Sequence, residues 1–255
     1  MQPLRVILLS GWGVDQHIWQ PLETYWPDHL APQAIEWPGY GATPALRAGA
    51  TLTSLAEAMA PSLPSDAVWV GWSLGGLLAT ALLEHLPPPR GLILLGAGDT
   101  FCARDETGAS GGVTTRELKA FQRAFQREPT ATWQHFLRWQ AQEELNPRQA
   151  YRQLRDLLGD APPADNITLA SGLQWLASID NRSRLAAPLC PVVRLTGEYD
   201  PFISRAQHHI SETLSGVGHC PMLSQPQALA ASIIRHVTQM ANDAIQMTNT
   251  SMAVL

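Results

Sequence analysis

The sequence predicts an α/β fold with a mostly parallel sheet, helices on both faces of that sheet, and a helical lid inserted between two of its strands. Short apolar runs alternate with helix-like segments up to about residue 99, which is typical of a parallel sheet covered on both faces. Strand-like runs then disappear, and the sheet pattern resumes at residue 191. We therefore expect a core of residues 1–99 and 185–240, a lid of residues 100–184, and a frayed tail of residues 241–255.

Five apolar runs predict strands of the core, and the segments between them predict its flanking helices. The strands are expected at residues 5–9, 34–36, 68–70, 92–95 and 191–196. Helices are expected within residues 15–25, 51–63, 74–86 and 227–240, the second of them with Thr51 as its N-cap.

Helical periodicity dominates the predicted lid. Its apolar residues recur on one face, first as Leu118, Phe121 and Phe125 and later as Trp133, Phe136 and Leu137. Prolines divide the segment into several helices, at positions 129, 147, 162 and 163.

Composition and charge limit the class of protein. A chain of 255 residues can bury a substantial core, and 45% apolar with 15% charged residues is typical of a globular protein. No apolar run approaches the ~20 residues that span a bilayer, and the N-terminal pattern is not that of a signal peptide. Three scattered cysteines, Cys102, Cys190 and Cys220, do not suit a disulfide framework or a zinc site. We expect a cytoplasmic monomer without a membrane partner, and the net charge of −5 argues against nucleic acid.

The most informative motif is Gly71-Trp72-Ser73-Leu74-Gly75, which lies between a predicted strand and a predicted helix. In that context, G-x-S-x-G forms a sharp turn that strains the serine backbone and exposes its hydroxyl above the sheet. Glycines are needed on both sides because strand and helix pass close together there. The motif predicts a serine hydrolase with Ser73 as its nucleophile.

A nucleophilic serine needs a base to take its proton, and the base needs an acid to orient it. In a fold with this serine turn, the acid follows the serine along the chain and the histidine follows the acid. Asp200 comes directly after the last predicted strand, and His219 lies in a glycine-containing loop near the C-terminus. We expect His219 to act as general base and then general acid, with Asp200 as its orienting anion. Asp99 follows the strand at 92–95 and is an alternative acid. Cys220 could be a nucleophile, but no elbow or helix start presents it.

Two backbone N–H groups should stabilise the oxyanion, each contributing roughly 3 kcal/mol to barrier lowering. We expect one from Leu74, at the start of the helix after the nucleophile, and one from Trp12, in the loop after the first strand. Several aromatic side chains could line an acyl pocket or simply pack in the core: Trp12, Trp72, Trp133 and Trp139.

One segment of the predicted lid, residues 116–155, concentrates about half of the basic residues of an acidic protein. They recur at helical spacing as Arg116, Lys119 and Arg123, and again as Arg148, Arg152 and Arg155. One interpretation is an ordinary solvated helix face. The other is a docking surface for an acidic partner or a phosphopantetheine arm, since guanidinium groups bind phosphate and carboxylate with two hydrogen bonds.

Three motifs together resemble the α/β-hydrolase superfamily, and within it the pimeloyl-[acyl-carrier protein] methyl ester esterases of biotin synthesis. They are Gly11-Trp12-Gly13, Trp37-Pro38-Gly39-Tyr40-Gly41 and Gly71-Trp72-Ser73-Leu74-Gly75-Gly76. The resemblance covers nearly the whole chain. It implies an eight-stranded α/β-hydrolase core, here with a truncated edge, and cleavage of the methyl ester of a pimeloyl chain on acyl carrier protein. It also implies a triad of Ser73, Asp200 and His219, oxyanion donors at Trp12 and Leu74, lid arginines that hold the carrier, and no cofactor or metal.

Two positions depart from that family. Ser10 stands where the family has a histidine, a position that supports loop geometry rather than the chemical step. Asp200 and His219 are also closer in sequence than in the family, with the intervening helix shortened to residues 204–209. The alternatives are a general carboxylesterase or another acyl hydrolase of this fold, and a catalytically idle hydrolase fold that binds a ligand. A broken triad would mark the idle protein.

Overall fold

A six-stranded, fully parallel sheet runs through the part of the chain that this computed structural model describes, residues 3–103 and 111–253. Its strands are β1 (Leu4–Leu9), β2 (Leu30–Ile35), β3 (Val68–Trp72), β4 (Gly91–Leu95), β5 (Val192–Gly197) and β6 (Glu212–Leu214). They lie in the order β2-β1-β3-β4-β5-β6. The expectation of eight strands was wrong for the described residues, while the predicted α/β fold with a parallel sheet is confirmed.

The strand order explains where a site can form. All strands point the same way, so their carboxyl ends meet at one edge of the sheet, where ligands bind in open α/β sheets. The loops and turns at that edge carry Trp12 after β1, Ser73 after β3, Asp99 after β4, Asp200 after β5 and His219 after β6. Residues far apart in sequence are thereby brought to one end of the sheet.

The helices on either side of β3 are shorter than their apolar patterns predict. A 3₁₀ helix covers Gln16–Tyr25 and is capped by Asp15, whose side chain accepts from the His17 N–H. Helix α1 (Leu52–Met59) has the predicted Thr51 cap, completed as a capping box by Ser54. Helix α2 (Leu74–Leu82) is buried along its whole length, because β-strands and other helices cover both of its sides.

Five helices follow β4 and form what we call the lid: α3 (Thr115–Arg127), α4 (Pro129–Ala141), α5 (Pro147–Leu158), α6 (Asn166–Ser178) and α7 (Arg182–Ala186). Pro129 and Pro147 begin α4 and α5, where a missing N–H costs nothing. The predicted apolar face is buried against the core at Leu118, Phe125, Trp133, Phe136 and Leu137. Residues 104–110 of the predicted lid lie outside the described residues.

Three helices complete the chain: α8 (Arg205–His208), α9 (Pro221–Ser224) and α10 (Pro226–Ala253). The last helix is longer than the predicted 227–240, and residues 241–253 are helical where a frayed tail was expected; residues 254–255 lie outside the described residues. None of the described helices is both long and apolar enough to cross a membrane.

Candidate active site

Ser73 has the backbone conformation that the elbow motif predicts. Its φ is +56°, and among the described residues it is the single non-glycine residue with positive φ. Its N–H donates to the Leu95 carbonyl oxygen at 2.9 Å, which fixes the turn between β3 and α2. A residue held in such a region costs of order 1–3 kcal/mol, and sites where strain persists are often functional.

The flanking glycines are required by close backbone approach. A Cβ on Gly71 would lie 2.5 Å from the Cα of Gly76, across the turn. A Cβ on Gly75 would lie 2.6 Å from the carbonyl oxygens of Leu9 and Ser10. Since real Cβ atoms do not approach backbone so closely, any other residue would push α2 away from the sheet. The first turn of α2 is therefore held beside the loop after β1.

Asp200 and His219 form a buried pair. Nδ1 of His219 lies 2.8 Å from Oδ2 of Asp200, and both side chains are fully inaccessible to solvent. The other carboxylate oxygen of Asp200 accepts from the Phe202 N–H at 2.9 Å. A carboxylate only accepts hydrogen bonds, so Nδ1 carries the proton and Nε2 of the neutral ring has a free lone pair. The short segment from Asp200 to His219 is therefore long enough to bring the imidazole to the acid.

The imidazole of His219 also packs beside Trp72, the residue that precedes Ser73. The indole N–H of Trp72 donates to the His219 carbonyl oxygen at 2.9 Å, and the two rings lie 5.2 Å apart between centroids. Phe202 packs edge-on against the imidazole at 4.5 Å. Nε2 of His219 is buried and has no hydrogen-bond partner among the described residues. The structure therefore joins Asp200 to His219 and places His219 against Trp72, but it does not bond the Ser73 hydroxyl to the imidazole.

Two backbone N–H groups are available next to Ser73. Leu74 is the first residue of α2, so its N–H has no intrahelical acceptor. Trp12 lies in the turn after β1, and a Cβ on its neighbour Gly11 would lie 3.0 Å from the Cβ of Ser73. Neither N–H donates a hydrogen bond within the described residues. Both are free to bind an anionic oxygen, and the N-terminus of α2 favours negative charge there.

The loop after β1 is braced by aromatic side chains from elsewhere in the sequence. The indole N–H of Trp37 donates to the Ser10 carbonyl oxygen at 2.9 Å, and the Gly13 N–H donates to the Tyr40 hydroxyl at 3.1 Å. The Ser10 hydroxyl donates to the Asp15 carbonyl oxygen at 3.0 Å. The Trp37-Pro38-Gly39-Tyr40-Gly41 motif thus supports the Trp12 loop, and Ser10 has a role in loop geometry.

Trp12 and Trp133 join the lid to the core. The indole N–H of Trp12 donates to the Leu169 carbonyl oxygen of α6 at 2.8 Å, and its ring packs edge-on against Phe121, Phe125 and Phe136. The indole of Trp133 donates to the Gly13 carbonyl oxygen. These two side chains are packing residues. Trp139 instead contacts Phe202, with ring centroids 4.9 Å apart, and so reaches the surroundings of His219.

The alternative site residues have other partners. Asp99 lies 2.8 Å from the guanidinium of Arg194 and forms an ion pair with it. Cys220 is fully buried, and burial together with the nearby Glu144 and Asp200 raises the pKa of its thiol well above the ordinary value. A thiol that resists ionisation is a poor nucleophile. The geometry therefore favours Asp200 as the acid and leaves Cys220 as a packed residue.

The basic residues of the lid fall on two separate surfaces. Arg116, Lys119 and Arg123 flank one groove along α3. A second groove lies between α4 and α5 and is lined by His135, Arg138, Trp139, Gln142, Pro147, Arg148 and Tyr151. Arg138, which the sequence analysis treats only as one basic residue of the lid and not as a docking residue, stacks on Tyr151 at 5.2 Å. Arg152 is exposed, and Arg155 pairs with Asp160.

Glu144 is a second residue whose role the sequence does not reveal, because it looks like any other acidic residue of the lid. It lies between α4 and α5, is 4% exposed, and accepts a hydrogen bond from the Cys220 N–H at 2.6 Å. Nothing in its immediate sequence indicates burial, because the neighbours Gln142, Glu143 and Leu145 are all exposed.

Comparison with known proteins places the chain among hydrolases. The profile of the alpha/beta hydrolase family matches residues 6–232. The pimeloyl-[acyl-carrier protein] methyl ester esterase of Aromatoleum aromaticum is 32% identical over 241 residues, covering 89% of this chain and 96% of that protein. The protein of the same name from Shewanella oneidensis is 29% identical over 243 residues, covering 92% and 91%.

Solved structures share the fold. The esterase EaEST from Exiguobacterium antarcticum superposes with a TM-score of 0.75 at 20% identity, over 93% of this chain and 92% of that one. The family match covers most of the chain, and the strained serine elbow lies where β3 meets α2. The chain therefore belongs to the alpha/beta hydrolase family and is an enzyme of the esterase type.

Proposed function

We propose that this protein hydrolyses the methyl ester of a pimeloyl chain carried on acyl carrier protein, using Ser73, His219 and Asp200. The observation that supports the chemistry best is the buried Asp200–His219 pair, packed against Trp72 directly before the strained Ser73. An acid fixed on Nδ1 leaves Nε2 as a base on the side of the ring that faces away from Asp200.

The first step is attack of the Ser73 hydroxyl oxygen on the ester carbonyl carbon while Nε2 of His219 takes the hydroxyl proton. This step needs the two groups in contact once substrate is bound, and nucleophile–base contacts are often loose before substrate binds. The carbonyl oxygen becomes an oxyanion that accepts from the N–H groups of Trp12 and Leu74. Each such donor lowers the barrier by roughly 3 kcal/mol.

The intermediate then breaks its bond to the methoxy oxygen, which leaves as methanol with the proton from Nε2. Water attacks the acyl-enzyme, with Nε2 again taking and returning one proton. The products are methanol and a free carboxylate at the end of the acyl chain. Asp200 stabilises the imidazolium form of His219 in both steps and keeps its own charge.

The choice of substrate is supported by the names of the two relatives and by the groove between α4 and α5. Arg138 and Arg148 supply two guanidinium groups there, and Trp139 forms part of its wall. Trp139 contacts Phe202, and Phe202 contacts His219. These aromatic contacts connect the basic groove to the imidazole. Guanidinium groups suit the phosphate of a phosphopantetheine arm and the acidic surface of a carrier protein.

The experiment that tests the proposal is rescue of a biotin-requiring bacterial strain that lacks its own methyl ester esterase. We expect growth without biotin with the parent gene and none with Ser73→Ala. Purified protein should release methanol from the carrier-linked ester, and a fluorophosphonate should label Ser73. Labelling without rescue would indicate a general carboxylesterase, and failure of both would indicate an idle fold that binds a ligand.

We further place the protein in the cytoplasm as a monomer. Among the residues whose side chains the structure describes, few large apolar side chains are exposed, which supports a monomer. They are Tyr25, Leu145, Ile167, Leu189, Tyr199 and Ile210. Light scattering coupled to gel filtration should give a mass near 27.8 kDa.

A further inference from the structure

One peptide group next to His219 is held at both ends. Its carbonyl oxygen, on His219, accepts from the indole N–H of Trp72 at 2.9 Å. Its N–H, on Cys220, donates to the carboxylate of Glu144 at 2.6 Å. A peptide group is planar, so these two hydrogen bonds fix the orientation of the backbone from which the imidazole projects. One partner comes from the elbow strand and the other from the lid.

Glu144 has no other evident reason to be buried. A carboxylate that is 4% exposed is costly unless its oxygens are satisfied. Oε1 accepts from the Cys220 N–H and Oε2 accepts from the Ser224 hydroxyl, so both of its partners belong to the segment that begins at His219. The side chain therefore connects the α4–α5 connection of the lid to the loop that carries the imidazole.

The glycine before His219 is shaped for this contact. A Cβ on Gly218 would lie 2.9 Å from the carbonyl carbon of Glu143 and 3.1 Å from Oε1 of Glu144. On the other side, a Cβ on Gly197 at the end of β5 would collide with the Gly218 carbonyl oxygen. The His219 loop is thus wedged between the sheet and the lid, and only glycine allows the lid to approach.

From this geometry we infer that Glu144 is a positioning residue for His219: the lid sets the direction of the imidazole through the Glu144–Cys220 hydrogen bond. The inference rests on the proposed function, in which His219 is the base. A hydrogen bond to a carboxylate is about twice as strong as a neutral one. Its loss leaves a buried N–H unsatisfied and one end of the peptide group free to tilt. A displacement of about 1 Å at a reacting group can cost about 100-fold in rate.

Three purified variants test the inference on a short free ester. Glu144→Ala removes the acceptor and should lower kcat by about 10- to 100-fold with KM within about twofold. Glu144→Gln keeps an acceptor oxygen for Cys220 and should restore kcat to within about threefold of the parent. Glu143→Gln changes the adjacent, exposed carboxylate and serves as the matched control, with kcat unchanged. All rates are measured well below each variant's melting temperature.

A spectroscopic readout separates positioning from general destabilisation. The Nδ1 proton that His219 shares with Asp200 gives a proton NMR signal far downfield, and Glu144→Ala should shift or broaden it while Glu144→Gln preserves it. If Glu144→Ala does not fold, Glu144→Asp takes its place, since its carboxylate is withdrawn by one carbon from Cys220. It should lose kcat to an intermediate extent.

Unchanged kcat and an unchanged Nδ1 signal in folded Glu144→Ala or Glu144→Asp would overturn the inference. An equal loss in Glu144→Gln and Glu144→Ala would also overturn it, because charge rather than the hydrogen bond would then matter. Failure of the proposed function is seen separately, as a parent protein in which the fluorophosphonate does not label Ser73. The NMR comparison still tests the Glu144 contact in that case.

Discussion

The indole N–H of Trp133 in α4 donates a 2.7 Å hydrogen bond to the carbonyl oxygen of Gly13, directly after the candidate oxyanion donor Trp12. A lid helix therefore holds the loop that has to present the Trp12 N–H. A Cβ on Gly13 would lie 2.9 Å from the Trp133 ring, so the contact is tight as well as directional. Together with the Trp12 indole, which donates to Leu169, and with Glu144, which accepts from Cys220, this hydrogen bond attaches the lid to the loops that carry Trp12 and His219.

The first prediction concerns that hydrogen bond. Trp133→Phe keeps an aromatic ring but removes the donor, so the Gly13 carbonyl loses its partner and the Trp12 loop loosens. We expect kcat for a simple ester to fall about tenfold. A well-placed oxyanion donor lowers the activation barrier by roughly 3 kcal/mol, and a displaced donor loses part of that effect. Steady-state kinetics with nitrophenyl esters measure the change.

The matched control is Trp69→Phe. Trp69 is as buried as Trp133, and its indole donates to the Pro64 carbonyl oxygen at 3.0 Å, which belongs to the loop before β3 rather than to the candidate site. It should lower the melting temperature without changing kcat. Equal losses of kcat in the two variants would show that Trp133 acts through stability alone.

The second prediction separates strain from chemistry at position 73. Ser73→Ala and Ser73→Gly both remove the nucleophile and should lower kcat more than about a thousandfold. Only glycine relaxes at φ +56°, so Ser73→Gly should unfold at higher denaturant concentration than Ser73→Ala, by about 1 kcal/mol in free energy of unfolding. Urea unfolding of both variants measures the difference, and identical midpoints would mean that the turn carries no strain.

Local motifs explain which parts of the site were predictable. The elbow around Ser73 is specified by adjacent residues, and Asp200 and His219 follow from chain order, so their close approach could be anticipated. Glu144 could not, because its burial depends on the His219 loop 75 residues later packing against it. Arg138 was missed because the groove it lines forms only when α4 and α5 pack side by side.

The errors in the fold have identifiable causes. The eight-strand expectation came from the family resemblance rather than from apolar runs, of which there were five. The sixth strand, β6, is three residues long and carries Glu212, so it has no apolar alternation to recognise. The final helix was cut short at Met240 because the residues after it are polar, yet helical geometry continues to Ala253.

The third prediction is an acid-dependent loss of stability at β6. Burial raises the pKa of Glu212, but hydrogen bonds from Ser232, Arg235 and His236 outweigh it and lower the pKa to about 2. The ordinary value is 4.5, so the folded protein holds this carboxylate ionised where the unfolded chain is protonated. The stabilisation is full above about pH 5 and is lost as the pH falls towards 2.

Glu212→Gln tests this linkage. The side chain is 37% exposed, so solvent screening reduces the effect to about 1 kcal/mol. We expect the parent to be more stable than the variant at pH 7, and the difference to shrink below about pH 5 and vanish only near pH 2, measured by urea unfolding across that range. A constant difference at every pH would show that the Glu212 charge does not stabilise the fold.

The fourth prediction assigns carrier docking to the groove between α4 and α5 rather than to the α3 surface. Charge reversal at Arg148, which is exposed in that groove, should lower kcat/KM for the carrier-linked ester about tenfold and leave a small free ester unaffected, because the small ester does not use the groove. Arg123→Glu, on the groove along α3, is the matched control and should affect neither substrate.

Rising salt should slow only the carrier-linked reaction, because dissolved ions weaken attraction between exposed charges over a distance of about 10 Å at 0.1 M. Equal losses at Arg148 on both substrates would indicate a folding defect, and a larger loss at Arg123 than at Arg148 would move the docking surface to α3.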